Sequence, residues 1–172
     1  LAKADPQDAR SHYYLAEALN DLERYAEAEE IFRKLLAATP NDGDLLASLG
    51  LSLAGQKKWD EATKTFDSIL ARPETPENLT ALARTQLAYV DLQKGNYEAA
   101  VAAAAAVAVF RDRPNTQAIN IALDALKRQE KPAEAVALLA PIAEKFRNDP
   151  FVNARYIEAL SRAGEKEKAR QH

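Results

Sequence analysis

The side chains that most often perform catalysis are scarce in this chain of 172 residues. Histidine occurs only at His12 and His172, and neither has a second histidine at the spacing that places two metal ligands on one helix face. Cysteine is absent, which excludes disulfides, thiol catalysis and thiolate metal sites. Carboxylates such as Glu27, Glu29 and Glu30 have the spacing of solvated helix faces. We therefore predict that the chain is not an enzyme and that it holds neither a metal nor a cofactor.

Without catalytic residues, the chain is expected to act by non-covalent binding. Its charge and apolar content indicate which kinds of partner it does not bind. The formal net charge is −3 and no run of Lys and Arg exceeds two residues, so we expect no nucleic-acid binding. The longest apolar run, residues 99–110, is mostly alanine and too short to cross a bilayer, so we expect no direct membrane insertion. The lack of cysteine fits any compartment and leaves the localisation open.

A five-residue pattern that ends in alanine recurs along the whole chain. The closing residues are Ala28, Ala62, Ala100, Ala135 and Ala169, and the intervals between them are 34, 38, 35 and 34 residues. Such a period is the signature of a helical repeat array. Apolar residues spaced by three and four, as at 15, 19 and 22, predict amphipathic helices within each unit.

The residues within each unit carry a more specific resemblance. The second unit has Leu46, Leu49 followed by Gly50, Trp59, Ala62 and Phe66, and the first unit has their counterparts from Leu15 to Pro40. This pattern resembles the tetratricopeptide repeat family, most closely in the first three units. The resemblance implies an all-α fold, a right-handed solenoid of stacked antiparallel helical hairpins that form a superhelix.

The repeat pattern sets the predicted boundaries. We expect one array with repeats at 9–42, 43–80, 81–115 and 116–149, a partial repeat at 150–172, and residues 1–8 as the tail of a preceding repeat in a longer array. The predicted helices are 9–22, 25–38, 43–56, 59–72, 79–94, 97–110, 116–129, 132–146 and 150–163, with no β-sheet. The recurring aromatic residues Tyr25, Trp59 and Tyr97 are expected to pack structurally, and His12 to be semi-buried.

Local signals refine these helices. Pro132 and Pro150 suit the first position of a helix, whereas Pro141 falls inside one and predicts a kink or break between residues 137 and 141. Residues 72–78 lengthen the third unit, where Thr75 and Pro76 either cap an added helical turn or belong to a plain loop. Four residues are predicted to cap helix N-termini through their side chains: Asp8, Asp42, Asn115 and Asp149.

By the family pattern, the first helix of each hairpin lines a concave groove. That resemblance implies a protein or peptide partner, bound as an extended segment or a helix. In family members that grip the acidic C-termini of heat-shock chaperones, lysine and asparagine stand where this chain has Tyr13 and Glu17, so we do not expect that function. The predicted partner-binding residues are Arg10, Tyr13, Glu17, Leu51, Tyr89, Asn120 and Asp124.

Two other functions fit the sequence. One is a structural spacer or self-assembly module, which would include a homo-oligomer. The other is a substrate-recruiting accessory of a larger protein, since the array resembles those of bacterial multi-repeat proteins, some of them envelope lipoproteins tied to polysaccharide export. The run Ala102–Ala106 allows either tight packing within the chain or close approach to another chain.

Overall fold

The computed structural model describes residues 6–171, with side chains from Asp8 onward. Ten helices fill most of this range, so the all-α prediction is confirmed. In chain order they are α1 Pro6–Asp21, α2 Tyr25–Ala38, α3 Gly43–Gly55, α4 Trp59–Leu70, α5 Glu77–Lys94, α6 Tyr97–Ala105, α7 Thr116–Arg128, α8 Pro132–Lys145, α9 Pro150–Arg162 and α10 Lys166–Gln171.

The helices form two compact units that divide between Gln86 and Leu87, inside α5. In the first unit, α1 packs on α2, α2 on α3 and α3 on α4. In the second unit, α6, α7, α8, α9 and α10 pack in the same consecutive way. The alternation of first and second helices predicted from the repeat is therefore present in each unit. Residues 1–5 of the predicted preceding tail lie outside the described residues, and α1 already begins at Pro6.

Small residues allow the two helices of a hairpin to approach closely. Ala16 on α1 and Ala28 on α2 are both fully buried. On α3, a β-carbon placed at Gly50 would lie 2.6 Å from the ring of Phe66, so the ring of α4 already fills that space. The recurring small residues therefore mark the contacts within hairpins, as the repeat pattern predicts.

Each hairpin turns at a residue in the left-handed backbone region. Gly95 and Gly164 have φ of 80° and 82°, as glycine readily allows. Glu23, Lys57 and Glu130 occupy the equivalent turns with φ of 59°, 61° and 56°. After each of these residues, the next amide donates back to a carbonyl of the preceding helix, as Lys58 does to Leu53 at 2.9 Å. The turn is thus imposed by helix packing even where the sequence supplies no glycine.

Three of the four predicted N-caps are confirmed. The carboxylate of Asp42 accepts from the amides of Asp44 and Leu45 at 3.0 and 3.1 Å. Asn115 and Asp149 cap α7 and α9 in the same way. The prediction for Asp8 is wrong, because α1 starts two residues earlier at Pro6 and Asp8 lies within its first turn.

The helix predicted for 97–110 ends early and gives way to a small sheet. Helix α6 stops at Ala105, and strand β1 Val109–Phe110 pairs with β2 Arg113–Pro114 in an antiparallel hairpin. The expectation of no β-sheet is therefore wrong at this place. Arg111 and Asp112 form the turn with φ of 48° and 56°, the backbone of a two-residue hairpin. Val109 is β-branched and favours extended backbone over helix. Pro114 disfavours helical backbone at the residue before it, Arg113.

The prolines behave differently from expectation at one position. Helices α8 and α9 begin at Pro132 and Pro150, as predicted. Of the predicted kink or break near Pro141, the break is wrong, because α8 continues past this residue to Lys145, and the kink stays a prediction. Pro141 is exposed, so its ring lies on the solvent side of α8. Of the extra residues, only Glu77 and Asn78 belong to α5, whereas residues 72–76 lie outside any helix. The Thr75 hydroxyl donates to the carbonyl of Ile69 at 2.6 Å.

Candidate functional site

The exposed side of the first helices in unit one centres on Tyr13 of α1. Its ring is half-buried and meets the fully buried Phe32 edge to face, with centroids 6.1 Å apart. Burial raises the pKa of the Tyr13 hydroxyl, a hydrogen bond with Ser48 opposes this, and the negative charges of Glu17 and Asp44 raise it further. Tyr13 therefore contributes to packing while its surroundings give this part of the surface an acidic character.

Three other residues of α1 define the remaining polar chemistry here. Glu17 is half-buried, and its Oε1 atom has no hydrogen-bond partner among the described residues. Arg10 is exposed and its Nη2 donates to the hydroxyl of Tyr14 at 3.2 Å. His12 is also exposed, with Nδ1 3.1 Å from a carboxylate oxygen of Asp8, so the expectation of a semi-buried histidine is wrong. His172 lies outside the described residues.

Arg10 and Tyr13 line a depression of about 450 Å³ between α1, α2 and α3. Ile31, Leu35 and Leu45 supply apolar side chains to it. Its rim carries charges of both signs, with the cations Arg10 and Lys34 and three aspartates. These aspartates are Asp8, Asp42 and Asp44.

Unit two contains a larger cavity, which we call the α7–α9 cavity. It has a volume of about 560 Å³ and lies between α7, the start of α8, and α9. Asn120 and Asp124, both predicted from the repeat, line it from α7 together with Lys127. The apolar part of its wall comes from Leu123, Leu126, Pro132, Ala135 and Ala159.

The opposite wall of the α7–α9 cavity is formed by charged residues of α9. Arg155 donates to Glu158 at 3.0 Å, and Arg162 lies 3.7 Å from the same carboxylate. The guanidinium of Arg155 also lies 5.5 Å from the ring centroid of Phe151, and its Nε has no partner among the described residues. Sequence reasoning missed these three residues. Adding the 34-residue period to Asp124 would have found Glu158.

The predicted partner-binding residues thus fall into separate groups. Arg10 and Tyr13 share the depression of unit one, with Glu17 one helical turn beyond Tyr13. Asn120 and Asp124 share the α7–α9 cavity, where Asp124 pairs with Arg128 at 3.1 Å. Leu51 on α3 and Tyr89 on α5 are half-buried and line neither hollow.

The recurring aromatic residues stay with structural packing, as expected, although each is half-buried rather than enclosed. A β-carbon placed on Gly55 would lie 2.6 Å from the ring of Tyr25, so this ring packs directly on the end of α3. Tyr97 has the guanidinium of Arg128 6.0 Å from its ring centroid. The rings of Tyr25 and Tyr97 thus lie between the start of the second helix of one hairpin and the end of the first helix of the following hairpin.

A buried carboxylate links α2 to α3 in unit one. Glu29 is 8% exposed and accepts from Lys58 at 2.8 Å, from Gln56 at 2.6 Å and from Arg33 at 2.8 Å. Burial alone would raise the pKa of Glu29, but the three donors outweigh it and lower this pKa to about 2. The group is a fixed negative charge at neutral pH, and all its contacts are within the protein.

The comparison with family models identifies the repeat. The model described as the tetratricopeptide repeat matches residues 1–43 and 47–117. The chain belongs to the tetratricopeptide repeat family. Among curated proteins, no sequence matches the chain. The matched segments end just inside α7, near the start of the fourth repeat, and the fourth and fifth repeats depart most from the family pattern.

Solved structures with the same fold include MamA from AMB-1, with 18% identity and a TM-score of 0.65 over 96% of this chain and 87% of that one. MamA from MSR-1 has 19% identity and a TM-score of 0.62, covering 94% and 90%. A protein described as a kinesin light chain of Podosopora anserina, with nearly identical TPR-like repeats, has 17% identity and a TM-score of 0.71, covering 98% and 93%. At these identities the likeness establishes the fold of this tetratricopeptide repeat protein and nothing finer.

Tetratricopeptide repeats are in general protein–protein interaction modules. Within residues 8–171, no three His, Asp or Glu side chains come together in a way that could hold a metal ion. In the described part of the chain, every helix is too short or too polar to cross a bilayer.

Proposed function

We propose that this protein is a scaffold that holds an extended polypeptide segment against its first helices, and that the α7–α9 cavity is its principal contact. The observation that carries the proposal is the cavity itself, which places amide, basic and apolar groups of two successive first helices around about 560 Å³. That volume is in the range of sites that enclose a few side chains.

The residues that line the α7–α9 cavity can make different kinds of contact with a bound segment. Asn120 is exposed on α7, and its amide can both donate to and accept from a peptide backbone. Lys127 has no ion pair among the described residues, so its ammonium group is available to an acidic side chain of the segment. Leu123 and Pro132 give a bound apolar side chain a surface to cover. Such a mixture of a few polar anchors on apolar surface is typical of peptide sites.

The ionic groups favour a segment with acidic residues over one with basic residues. Glu158 is already held by Arg155 and Arg162, and Asp124 is held by Arg128. Lys127 and Glu130 have no ion pair among the described residues. The lining holds four basic and three acidic residues in all, so its net charge is +1.

The test begins with peptides selected from a random displayed library against the intact chain. Calorimetry then compares the selected peptide on the wild type, on Asn120→Ala and on Lys127→Ala. We expect each variant to bind about tenfold more weakly, which corresponds to about 1.4 kcal/mol. Lys64→Ala removes an exposed lysine from α4 and serves as the matched control, with unchanged affinity. Equal affinities for all four proteins would place binding elsewhere and contradict the proposal.

A further inference from the structure

The hairpin of α7 and α8 lacks the aromatic residue that begins the second helix in the first three hairpins. Tyr25, Trp59 and Tyr97 each stand two residues after a hairpin-turn residue, at the first position of α2, α4 and α6. After the turn at Glu130, this position belongs to Pro132, which begins α8. The sequence therefore replaces a ring by a proline at this one start of a full-length second helix.

In two of the other hairpins the ring can be followed to the end of the next first helix. The Tyr25 ring lies on Gly55, where a β-carbon would be 2.6 Å from it. The Tyr97 ring has the guanidinium of Arg128 6.0 Å from its centroid. Gly55 and Arg128 both stand two residues before a hairpin-turn residue, and Arg162 does so on α9. Arg162 is thus the residue that a ring at the start of α8 would contact.

The α7–α9 cavity takes the place of that ring. Pro132 and Arg162 both line the cavity, whose volume is about 560 Å³. The contact between the two helices of the hairpin also differs here. Leu123 of α7 lines the cavity and stands at the position of Ala16 and Gly50, where a small residue lets the helices of a hairpin approach closely. The missing ring and the larger Leu123 side chain together account for the cavity.

The exposure of the recurring alanine shows that the hairpin is less closed at this point. Ala28, Ala62 and Ala100 are fully buried on the second helices of the first three hairpins. Their counterpart Ala135 is 9% exposed and lines the α7–α9 cavity. The apolar surface beside Pro132 is therefore open to a side chain from another molecule.

The guanidinium of Arg162 is only loosely held by its neighbour. It lies 3.7 Å from the carboxylate of Glu158, whereas Arg155 donates to the same carboxylate at 3.0 Å. The side chain of Arg162 is 47% exposed. A guanidinium is attracted to the face of an aromatic ring, and this attraction is absent for an aliphatic side chain. The cavity should therefore distinguish an aromatic side chain from leucine.

We infer that the α7–α9 cavity binds an aromatic side chain of the partner segment, with its ring between Pro132 and Arg162. The bound ring takes the position that the rings of Tyr25 and Tyr97 take in their own hairpins. Leu123 and Ala135 supply apolar wall to the same space. This inference rests on the proposed function and specifies the residue that anchors the segment in the cavity.

The first experiment places a ring in the cavity without any partner. Pro132→Tyr restores the aromatic residue, and Pro132→Ala is its matched control because both variants remove the proline. We expect Pro132→Tyr to melt at least ~3 °C higher than Pro132→Ala, because the ring buries apolar surface that lines the cavity. Equal melting temperatures for the two variants would show that the cavity does not accept a ring, and would overturn the inference.

The second experiment uses the intact chain and the peptides selected from the displayed library. We expect the peptides that Asn120→Ala weakens to share an aromatic residue, and its replacement by leucine to lower the affinity at least tenfold. Pro132→Tyr should weaken the selected peptide to a similar extent, because the ring of the chain itself then fills the site. Arg162→Gln should weaken the selected peptide at least about threefold and leave its leucine derivative unchanged. Lys64→Ala again serves as the control.

The outcomes separate this inference from the proposed function. Peptides that respond to Asn120→Ala and Lys127→Ala, but bind equally well with leucine in place of the aromatic residue, would overturn this inference and leave the proposed function standing. Peptides that respond to none of the variants at Asn120, Lys127 and Pro132 would contradict both.

Discussion

The carboxylate of Glu29 should make the stability of unit one depend on pH. Its pKa is lowered from 4.5 to about 2 by Lys58, Arg33 and Gln56, against the opposing effect of its own burial. Because the folded-state pKa lies below the unfolded value, the stabilisation is fully present above pH 4.5 and is lost as the pH falls through about 2. A shift of this size is worth at most about 3 kcal/mol. Since the side chains of Lys58 and Arg33 are 41% and 49% exposed, we expect about 2 kcal/mol.

Glu29→Gln isolates this effect because it keeps the size of the side chain and removes the charge. The expected result is a loss of about 2 kcal/mol in the free energy of unfolding at pH 7 and no difference from wild type near pH 2. Urea unfolding followed by circular dichroism at pH 7, 4 and 2 measures it. Glu30→Gln is the matched control, since Glu30 pairs with Lys34 on the solvent side of the same helix, where both side chains are about 70% exposed. Equal losses for the two variants at pH 7, or a loss from Glu29→Gln that persists at low pH, would refute the reasoning.

Three further predictions concern glycine positions and Trp59. Gly95→Ala should lower the free energy of unfolding by about 1 kcal/mol because the backbone there has a φ of 80°, although no atom lies within 4 Å of the added methyl. Lys57→Gly should raise it by about 0.5–1 kcal/mol at the equivalent turn. Urea midpoints that move in the opposite sense would contradict this. Gly50→Ala should destabilise by about 1–2 kcal/mol despite the better helix propensity of alanine, since the methyl would lie 2.6 Å from the ring of Phe66, whereas a gain in melting temperature would show that the ring moves freely. Trp59→Ala should cost about 2–3 kcal/mol in urea unfolding, less than a fully buried aromatic, because the ring is only half-buried; a loss of 4 kcal/mol or more would contradict that reading.

The fold was predictable because the same pattern of packing residues recurs in successive repeats. Alanine at 28, 62 and 100 with an aromatic three residues earlier defines hairpins without any long-range information. Prediction failed where one local preference was outweighed by another. The alanine-rich segment favours helix up to Ala105, but the approaching Pro114 and the N-cap Asn115 force the chain to turn back, which a helix running to 110 does not allow. At Pro141 the opposite happened, since α8 continues through the proline, whose ring lies on the exposed side of the helix.

The candidate site was only partly predictable for a similar reason. Family spacing placed Asn120 and Asp124 on one face of α7, because position along a helix fixes direction, and this face lines the α7–α9 cavity. It missed Arg155 and Arg162, since the fifth repeat has Lys166 where the first three repeats carry the aromatic residue that aligns them. The contact of Tyr13 with Phe32 was not predictable from sequence, because it depends on how α1 lies on α2.

Hydrogen exchange with and without a selected peptide is the most direct measurement of whether the first helices of unit two bind a polypeptide segment. The account predicts slower exchange on peptide addition in segments that line the α7–α9 cavity, residues 116–128 and 150–162. Exchange in the sheet at 109–114, which does not line the cavity, should stay the same. Slower exchange confined to residues 97–105 and 109–114, with 116–128 and 150–162 unchanged, would contradict the proposed function.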